Sequence, residues 1–584
     1  MTGLPDTGET ELASQRALSC PFQAGASRVT GLSWAQQYMW HVVNLPGNDQ
    51  RLDLFINIQV RKPMSVDAAI NALRRFTERN PALRTRIAAG PGGQDRQEVI
   101  GSGSIPLYVR DAPHPMAYSK VSDWLSPVSG SSPTRALIVA TSGRVQYVAL
   151  RLHHIVTDGW GLRLLTQQLR AELSRSTGHM REDAVPAVKS SADRADFESS
   201  EVGQEIRRRA LEYAAGQLSS CPQTMFPNSP PAPQEPRYWN VNLRSRALFM
   251  ALVKLTAEAH LMPTTPIIGT FAAVMASRAS LSSALIYVGS NNRFARDWES
   301  FTGPLYQESL ICVPVSQATT CLDLFGSLNG KVLRMYRNGQ HDPVALQEHI
   351  RRVEHDRGIC LDKVAASAML NIFPMAMKAG AREPPSRAQL RAMTRSSRLS
   401  KTPRADIDNL SFFVDVITRG PEVILASRVD TRLVSLQEAE AILLGMEKLL
   451  CELAGDDIPM DQISDLCPGM GRGADNQTTQ VDGSRISLSD CRAALNAHPS
   501  VHDSCIRLDD SGGRSALTAY VHVVERSLTP AQLHGSVVAA LPPHSLAMAP
   551  HRYRLYVSRP SVLDDVQAWD KVELVSVGHG RRDP

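Results

Sequence analysis

The chain has 584 residues, which is more than one hydrophobic core usually supports, so its length predicts two or three packed units. Apolar residues make up 43% and charged residues 21% of the sequence, as in an ordinary soluble globular protein. The formal net charge of +5 is small for this length, and no basic stripe with interleaved aromatic residues accompanies it, which disfavours nucleic-acid binding. Nine widely spaced cysteines without a Cys-x-x-Cys pair disfavour a disulfide framework and a zinc knuckle and favour reduced thiols.

The N-terminal segment, residues 1–27, is polar and contains acidic residues. It lacks the apolar stretch of a signal peptide, and the chain contains no run of about 20 apolar residues that could cross a membrane. The sequence therefore predicts a mobile leader at residues 1–27 and a cytoplasmic protein without a membrane partner.

A first lobe is predicted over residues 28–180. Ser33 is the predicted N-cap of the helical stretch LSWAQQYMWHVV, and a second helix, SVDAAINALRRFTERN, is stopped by Pro81. The stretch TRALIVATSGRVQYVALRLHH indicates two β-strands around a Ser-Gly turn. Leucines at positions i, i+3, i+7 and i+11 then form the stripe of an amphipathic helix: Leu162, Leu165, Leu169 and Leu173.

The rest of the chain divides by composition. Residues 181–235 hold many charges and the proline-rich stretch CPQTMFPNSPPAPQEP, which indicates a connector between two lobes. Residues 236–460 mix helices with β runs such as SALIYVGS and NLSFFVDVI, and they close with the amphipathic helix SLQEAEAILLGMEKLLCEL. A polar linker at residues 461–480 precedes a small unit of about one hundred residues at 481–580.

The stretch LRLHHIVTDGWG places two adjacent histidines at the end of an apolar strand, with Asp158 four residues after His154. By the period of two, His154 falls on the buried face with Leu152, and His153 falls on the opposite face. Rings that point in opposite directions do not share one metal ion, and no third ligand lies at metal spacing, so no metal site is predicted.

Two interpretations of the histidines remain open from the pattern alone. In one, His154 is a hydrogen-bonded core histidine and Asp158 caps the following helix. In the other, a neutral His154 near a carboxylate acts as a general base, and the backbone N–H of Gly159 at the helix start suits a developing oxyanion. Competing motifs are weak, because the chain has no complete phosphate-binding loop, zinc-protease spacing or Gly-x-Ser-x-Gly elbow.

The stretch HHIVTDGWG resembles the HHxxxDG signature of condensation domains of nonribosomal peptide synthetases, within the chloramphenicol-acetyltransferase-like superfamily. LSWAQQYMW, NPALRTRI, GSNNRFARDWESFTGPLYQESLICVPV, LNIFP and NLSFFVDV resemble further segments of that family in the same order, over roughly residues 28–460. The resemblance implies an α/β (α+β) fold class: two chloramphenicol-acetyltransferase-like lobes form a V-shaped pseudo-dimer with a central tunnel, and a small α+β domain follows at the C-terminus.

The resemblance also implies roles for individual residues. The second histidine, His154, is expected at the centre of the tunnel as the catalytic residue. Asp158 is expected to point away from the substrate and to pair with an arginine of the second lobe. The residues expected to be structural members of the site are His153, Asp158, Gly159 and Arg293.

Two further residues are expected to line the tunnel, Trp160 and Gln307. Gln307 stands where the family usually has Asn, and Pro304-Leu305 replaces its usual Phe pair, so the substrate preference near these positions does not carry over.

The activity that the resemblance implies is thioester aminolysis. A carrier protein, acting in trans, delivers an acyl or aminoacyl thioester on its phosphopantetheine arm, and a tethered or free amine attacks it. No cofactor is expected to be bound to this chain. The alternatives are an acyltransferase of the same superfamily with an alcohol acceptor or a coenzyme A donor, and a catalytically silent recruitment platform.

The tail resembles the small C-terminal subdomain of adenylation domains, through GRGADNQTTQVDGSRISLSDCRAALNAHPSVHDSCIRL and VVAALPPHSLAMAP. Asp475 falls at the hinge position and Lys571 near the position of that family's catalytic lysine. The large adenylation core, with its ATP-binding motifs, is missing. The tail is therefore expected to be a relic that docks on the condensation unit or recruits a partner.

Overall fold

The computed structural model describes residues 15–45, 52–112, 121, 124–176, 188–227, 232–361, 368–373, 375, 384–404, 411–467, 478–509 and 515–581. The chain folds into two compact units. The first combines residues 1–207 with 291–307, and the second combines residues 208–290 with 308–584. Both contain sheets and helices, so the predicted mixed α/β class is confirmed.

The first unit contains a five-stranded sheet in the order β1-β6-β7-β8-β3 and a three-stranded sheet in the order β2-β5-β4. Its strands are β1 Gln15–Gln23, β2 Arg28–Gly31, β3 Leu54–Gln59, β4 Thr85–Ala89, β5 Asp95–Val99, β6 Ser102–Asp111, β7 Thr134–Thr141 and β8 Arg144–Leu152. Its helices are Trp34–Val43, Val66–Arg79, Gly159–Arg175 and Ser191–Ser199.

Local sequence signals set the starts of these helices. Ser33 accepts a hydrogen bond from the backbone N–H of Gln36, and the Gln36 side chain accepts from the Ser33 N–H in return, which forms a capping box. Ser65 caps the second helix by accepting a hydrogen bond from the Ala68 N–H, without a reciprocal side-chain bond. The apolar faces of these helices pack with the inward side chains of β7 and β8 into one buried core.

The leader predicted at residues 1–27 contains ordered structure. Strand β1 pairs antiparallel with β6 over its whole length, from Gln15 opposite Arg110 to Gln23 opposite Ser102. Only two of its side chains, Cys20 and Phe22, are buried. An edge strand held mainly by backbone hydrogen bonds carries little apolar pattern, which explains why composition alone suggested a mobile leader.

The second unit contains a seven-stranded sheet in the order β11-β10-β12-β14-β15-β9-β13, the hairpin β16-β17 and a four-stranded sheet in the order β18-β19-β20-β21. Its strands are β9 Tyr238–Ser245, β10 Ser283–Ser290, β11 Gln307–Pro314, β12 Ala368–Ile372, β13 Arg398–Pro403, β14 Phe412–Arg419, β15 Glu422–Asp430, β16 Thr478–Val481, β17 Ser484–Ser487, β18 Val501–Asp509, β19 Ala516–Val523, β20 Arg552–Tyr556 and β21 Leu574–His579. Its helices are Arg246–Glu258, Thr264–Ala279, Cys321–Arg337, Pro343–Arg357, Arg387–Thr394, Leu436–Leu453, Ile463–Leu466, Leu488–Asn496, Pro530–Ala540 and Val566–Trp569.

Three segments differ from the predicted organisation. The predicted connector at 181–235 contains the helix Ser191–Ser199 and the long helix Glu201–Leu218, whose polar surfaces gave it the composition of a linker. Residues 291–307, predicted in the second lobe, pack within the first unit. The C-terminal residues 478–581 share one continuous hydrophobic core with the rest of the second unit.

Candidate active site

The site is built on the turn between β8 and the helix Gly159–Arg175. Strand β8 ends at Leu152, where the N–H of His153 donates to the carbonyl of Pro133 at 2.8 Å. The chain then turns, and the N–H of Val156 donates back to the carbonyl of His153 at 3.1 Å. Asp158 caps the helix by accepting a hydrogen bond from the Gly161 N–H at 2.8 Å.

Asp158 lies at the centre of a fully bonded buried network. Its two oxygens accept the two terminal N–H groups of Arg293, each at 2.9 Å. One oxygen also accepts the backbone N–H groups of Leu305 and Tyr306 at 2.8 and 2.9 Å. Burial favours the neutral acid, but the charge and hydrogen bonds of Arg293 and the N–H groups of Gly161 and Leu305 outweigh it, so the pKa of Asp158 lies below its usual value.

Arg293, like Asp158, makes several hydrogen bonds within the protein. It is buried, and besides Asp158 it donates to the carbonyls of Asn291, Phe301 and Gly303. The ion pair expected from the resemblance is therefore present, but within the first unit, because residues 291–307 pack there. All hydrogen-bond partners of this ion pair lie inside the protein. The pair therefore orders the loop, and the Asp158 carboxylate has no free oxygen for a substrate.

His153 is held as a neutral core imidazole. Its side chain is 8% exposed, its Nδ1 accepts the N–H of Ile155 at 3.3 Å, and its ring lies 6.1 Å from the ring of Trp40. Burial, with a smaller contribution from the neighbouring charge of His154, lowers the pKa of His153 to about 4.

His154 differs from its neighbour in exposure. The residue as a whole is partly exposed, whereas its imidazole lies deeper: Nδ1 is buried and has no hydrogen-bond partner in the described part of the chain. Burial lowers the pKa of His154, and the carbonyls of His154 and Thr157 and the charge of Asp158 oppose this shift without reversing it. The ring is therefore neutral near pH 7. The period-two assignment of the histidines to faces is wrong, because the strand ends at Leu152 before either of them.

The other predicted residues surround the same turn. Gly159 begins the helix, is exposed and has open space where a Cβ would lie. The indole N–H of Trp160 is buried without an acceptor among the described residues, and the guanidinium of Arg163 lies 4.2 Å from its ring. Gln307 begins β11 and is buried.

The sequence analysis did not predict a second contact that holds this turn. The hydroxyl of Thr157 donates to the carbonyl of Thr302 at 2.7 Å. A Cβ on Gly161 would lie 2.4 Å from both the Thr157 hydroxyl and the Thr302 carbonyl oxygen, so only glycine permits this approach. The second glycine of GWG was the available signal, but its close contact comes from Thr302, 141 residues away in the chain.

This arrangement offers acid–base chemistry at one residue. Within the described ranges, no three His, Cys, Asp or Glu side chains are grouped so that they could hold a metal ion. The neutral imidazole of His154 can accept a proton from a nucleophile, and the positive end of the dipole of the helix that begins at Gly159 favours negative charge.

The comparisons with known proteins point to one family. The sequence model described as Condensation domain matches residues 26–359, more than half of the chain. The probable non-canonical nonribosomal peptide synthetase CymA of Salinispora arenicola is 28% identical over 243 residues, 40% of this chain and 3% of that protein. The phosphinothricin tripeptide synthetase PhsC of Streptomyces viridochromogenes is 25% identical over 258 residues, 42% of this chain and 24% of that protein. The chain thus spans at most about a quarter of these relatives.

Solved structures share the fold at low identity. The first condensation domain of the CDA synthetase superposes with a TM-score of 0.53 at 14% identity, over 75% of this chain and 99% of that chain. SgcC5 from Streptomyces globisporus gives a TM-score of 0.55 at 14% identity, over 73% of this chain and 98% of that chain. Among the described residues, no helix combines the length and the apolar character needed to cross a bilayer.

Proposed function

Because the chain belongs to the condensation domain family, we propose that it forms an amide bond between a carrier-bound acyl or aminoacyl thioester and an amine acceptor. The products are nonribosomal peptides or related natural products. The observation that carries this proposal is the state of His154: a neutral imidazole whose Nδ1 has no partner among the described residues, beside an aspartate whose oxygens are occupied by Arg293 and by backbone N–H groups. The histidine is the group of this turn that remains available to a substrate.

The proposed reaction needs little from the protein beyond positioning and one proton acceptor, because a thioester is already activated. The amine nitrogen attacks the carbonyl carbon, and the oxygen becomes an oxyanion. His154 takes the proton that the nitrogen loses, or holds the amine by a hydrogen bond while the proton leaves. The carbon–sulfur bond then breaks, the thiolate receives a proton, and an amide and a free thiol result.

The partners follow from the same proposal. The substrate arrives on the phosphopantetheine arm of a carrier protein acting in trans, and the acceptor is a small or tethered amine. The chain itself binds no cofactor in this scheme, and the reaction takes place in the cytoplasm. Membership of the condensation domain family and the similarity to a probable nonribosomal peptide synthetase support a carrier-dependent reaction.

The resemblance of residues 481–580 to an adenylation subdomain remains part of the proposal. Lys571 is exposed, directly after the helix Val566–Trp569. Asp475 lies outside the described residues. Without the nucleotide-binding core, we assign this unit no adenylating activity.

One alternative has an observation in its favour. A neutral imidazole with open space at Gly159 would also accept the proton of an alcohol, so an ester-forming acyltransferase, with a carrier or coenzyme A as donor, fits the same turn. A silent recruitment platform would require His154 to be dispensable. The acceptor and the effect of removing His154 distinguish these alternatives.

The test is intact-protein mass spectrometry of acyl-loaded carrier proteins incubated with this chain and with candidate amines or alcohols. Loss of the acyl group together with a new amide supports the proposal, and a new ester supports the alternative. His154→Ala is expected to lower the rate about 10²–10⁴-fold in a folded protein. His41→Ala, at an exposed histidine of the first unit, is the control. Undiminished turnover by His154→Ala would leave the proposed role of His154 untenable.

A further inference from the structure

A stretch of irregular backbone in the second unit is buried without being part of a helix or a strand. Every residue from 221 to 227, which we call the connector loop, is buried. It follows the helix Glu201–Leu218 directly. Irregular segments usually lie on the surface, because their backbone groups need partners. The connector loop must therefore find its partners in whatever covers it.

Part of that cover is the C-terminal segment, residues 478–581. The N–H of Gln223 donates to the hydroxyl of Ser484 at 3.1 Å, and the Gln223 side chain donates to the carbonyl of Ser545 at 2.9 Å. In the turn of the hairpin β16-β17, Gly483 approaches the chain just before the loop so closely that a Cβ would lie 2.6 Å from the carbonyl oxygen of Ser220.

Arg357 contacts both the connector loop and the C-terminal segment. It is the last residue of the helix Pro343–Arg357 and is buried. Its guanidinium donates to the carbonyls of Leu218, Cys221 and Asp482, each at 2.8 Å. One buried cation thus satisfies the end of the incoming helix, the connector loop and the C-terminal segment together.

Apolar contacts continue the same interface. Met225 and Phe226 of the connector loop belong to one hydrophobic core with Val481 and Ile486 of the hairpin. Next to Arg357, the N–H of Ala549 donates to the carbonyl of Gly358 at 2.7 Å, and the buried His534 lies within hydrogen-bond distance of the carbonyl of His355, 2.8 Å from its Nε2. The contacts therefore come from several separate parts of the C-terminal segment.

We propose that the C-terminal segment is an internal clamp: it fixes the connector loop through the hairpin β16-β17 and Arg357, and so sets where the chain enters the second unit. This role is independent of the proposed condensation activity. It predicts that the loop and the hairpin lose their protection from amide exchange together.

The clamp can be opened from the C-terminal side by Gly483→Ala. The new Cβ would meet the Ser220 carbonyl oxygen, and the positive φ of +76° adds strain. Gly420→Ala is the matched control, because Gly420 also lies in a tight hairpin turn at a positive φ of +59° but has no atom within 4 Å of its Cβ position. Both variants introduce the same kind of backbone strain, but only Gly483→Ala disturbs the interface.

The measurement is amide hydrogen exchange by mass spectrometry on the full chain, with peptides covering 219–227 and 478–487. Gly483→Ala is expected to speed exchange at least tenfold in both peptides, and Gly420→Ala in neither. Arg357→Met should act like Gly483→Ala, whereas Arg352→Met, at an exposed site on the same helix, should not. If exchange rises in 478–487 alone while 219–227 stays protected, the clamp is refuted.

A second measurement covers the case in which a variant fails to fold. A protease site inserted between residues 468 and 477 of the otherwise unchanged chain allows the C-terminal segment to be cut from the rest after folding. The two fragments are expected to stay together in size-exclusion chromatography. Release of the C-terminal fragment from the cut protein would overturn the proposal.

Discussion

Asp158 and Arg293, 135 positions apart in the sequence, form a two-pronged ion pair with both nitrogen–oxygen distances at 2.9 Å. Both side chains are buried, and every oxygen of the carboxylate is occupied. Asp158 thus binds the backbone of its own helix start and residues 291–307. Asp158 is therefore a structural residue, and the proposed function assigns the contact with the substrate to His154.

The first prediction concerns this pair. Asp158→Asn leaves the Arg293 guanidinium buried without a counter-charge, so the free energy of unfolding should fall by about 3–5 kcal/mol. Chemical denaturation monitored by fluorescence measures this change. Asp570→Asn is the control, because its partner Arg554 is 3.7 Å away and both side chains are partly exposed, and it should cost at most about 1 kcal/mol.

A double variant separates the charge effect from general damage. Arg293→Met added to Asp158→Asn removes the unpaired cation, so the double variant should be more stable than the sum of the two single effects implies. Additive losses, or an Asp158→Asn protein as stable as the wild type, would contradict the pairing as the source of stability.

The second prediction concerns Gly161. Alanine at this position would place a Cβ 2.4 Å from the Thr157 hydroxyl and the Thr302 carbonyl oxygen, so the segment around Thr302 must move away. We expect a loss of about 1–3 kcal/mol in unfolding free energy. Gly330→Ala is the matched control: it lies in the helix Cys321–Arg337 with nothing within 4 Å, and should stabilise by up to about 1 kcal/mol.

The local parts of the site could be predicted from the sequence. Ser33 and Asp158 cap helices where their positions indicated, because a cap depends on neighbours within four residues. Three leucines of the predicted stripe, Leu165, Leu169 and Leu173, are buried along the helix, and Leu162 is partly buried. These signals are complete within one turn of the chain.

The remaining parts depend on distant segments. The strand before the histidines ends at Leu152, and the chain then turns, with the Val156 N–H donating to the His153 carbonyl; no pattern in LRLHH marks that end. Residues 291–307 are bonded to Asp158 in the first unit, and the C-terminal segment is bonded to Arg357. Because the sequence contains many arginines, nothing in it marks Arg357 for such a role.

The third prediction is the pH dependence of the proposed reaction. His154 must be neutral to accept a proton, and burial lowers its pKa below the usual 6.5. The rate of amide formation should therefore be constant around neutral pH and fall on an acid limb whose midpoint lies below 6.5. Rates measured with a loaded carrier across this range test it, and the residual activity of His154→Ala should lack the limb. A midpoint above 6.5 would contradict the assignment.

The fourth prediction is the pH dependence of stability. Burial lowers the pKa of both His153 and His534 to about 4, against 6.5 for a free imidazole. Between pH 6.5 and 4, the unfolded chain therefore binds protons at these residues while the folded protein does not. The contribution of each neutral histidine to the free energy of unfolding is fully present above pH 6.5. It is lost on acidification, by up to about 3 kcal/mol for each histidine. Unfolding free energies measured by denaturation at several pH values test this. His534→Gln keeps a donor for the His355 carbonyl but cannot titrate, so it should flatten the slope. An unchanged slope in His534→Gln would show that the buried imidazole does not contribute to the acid sensitivity.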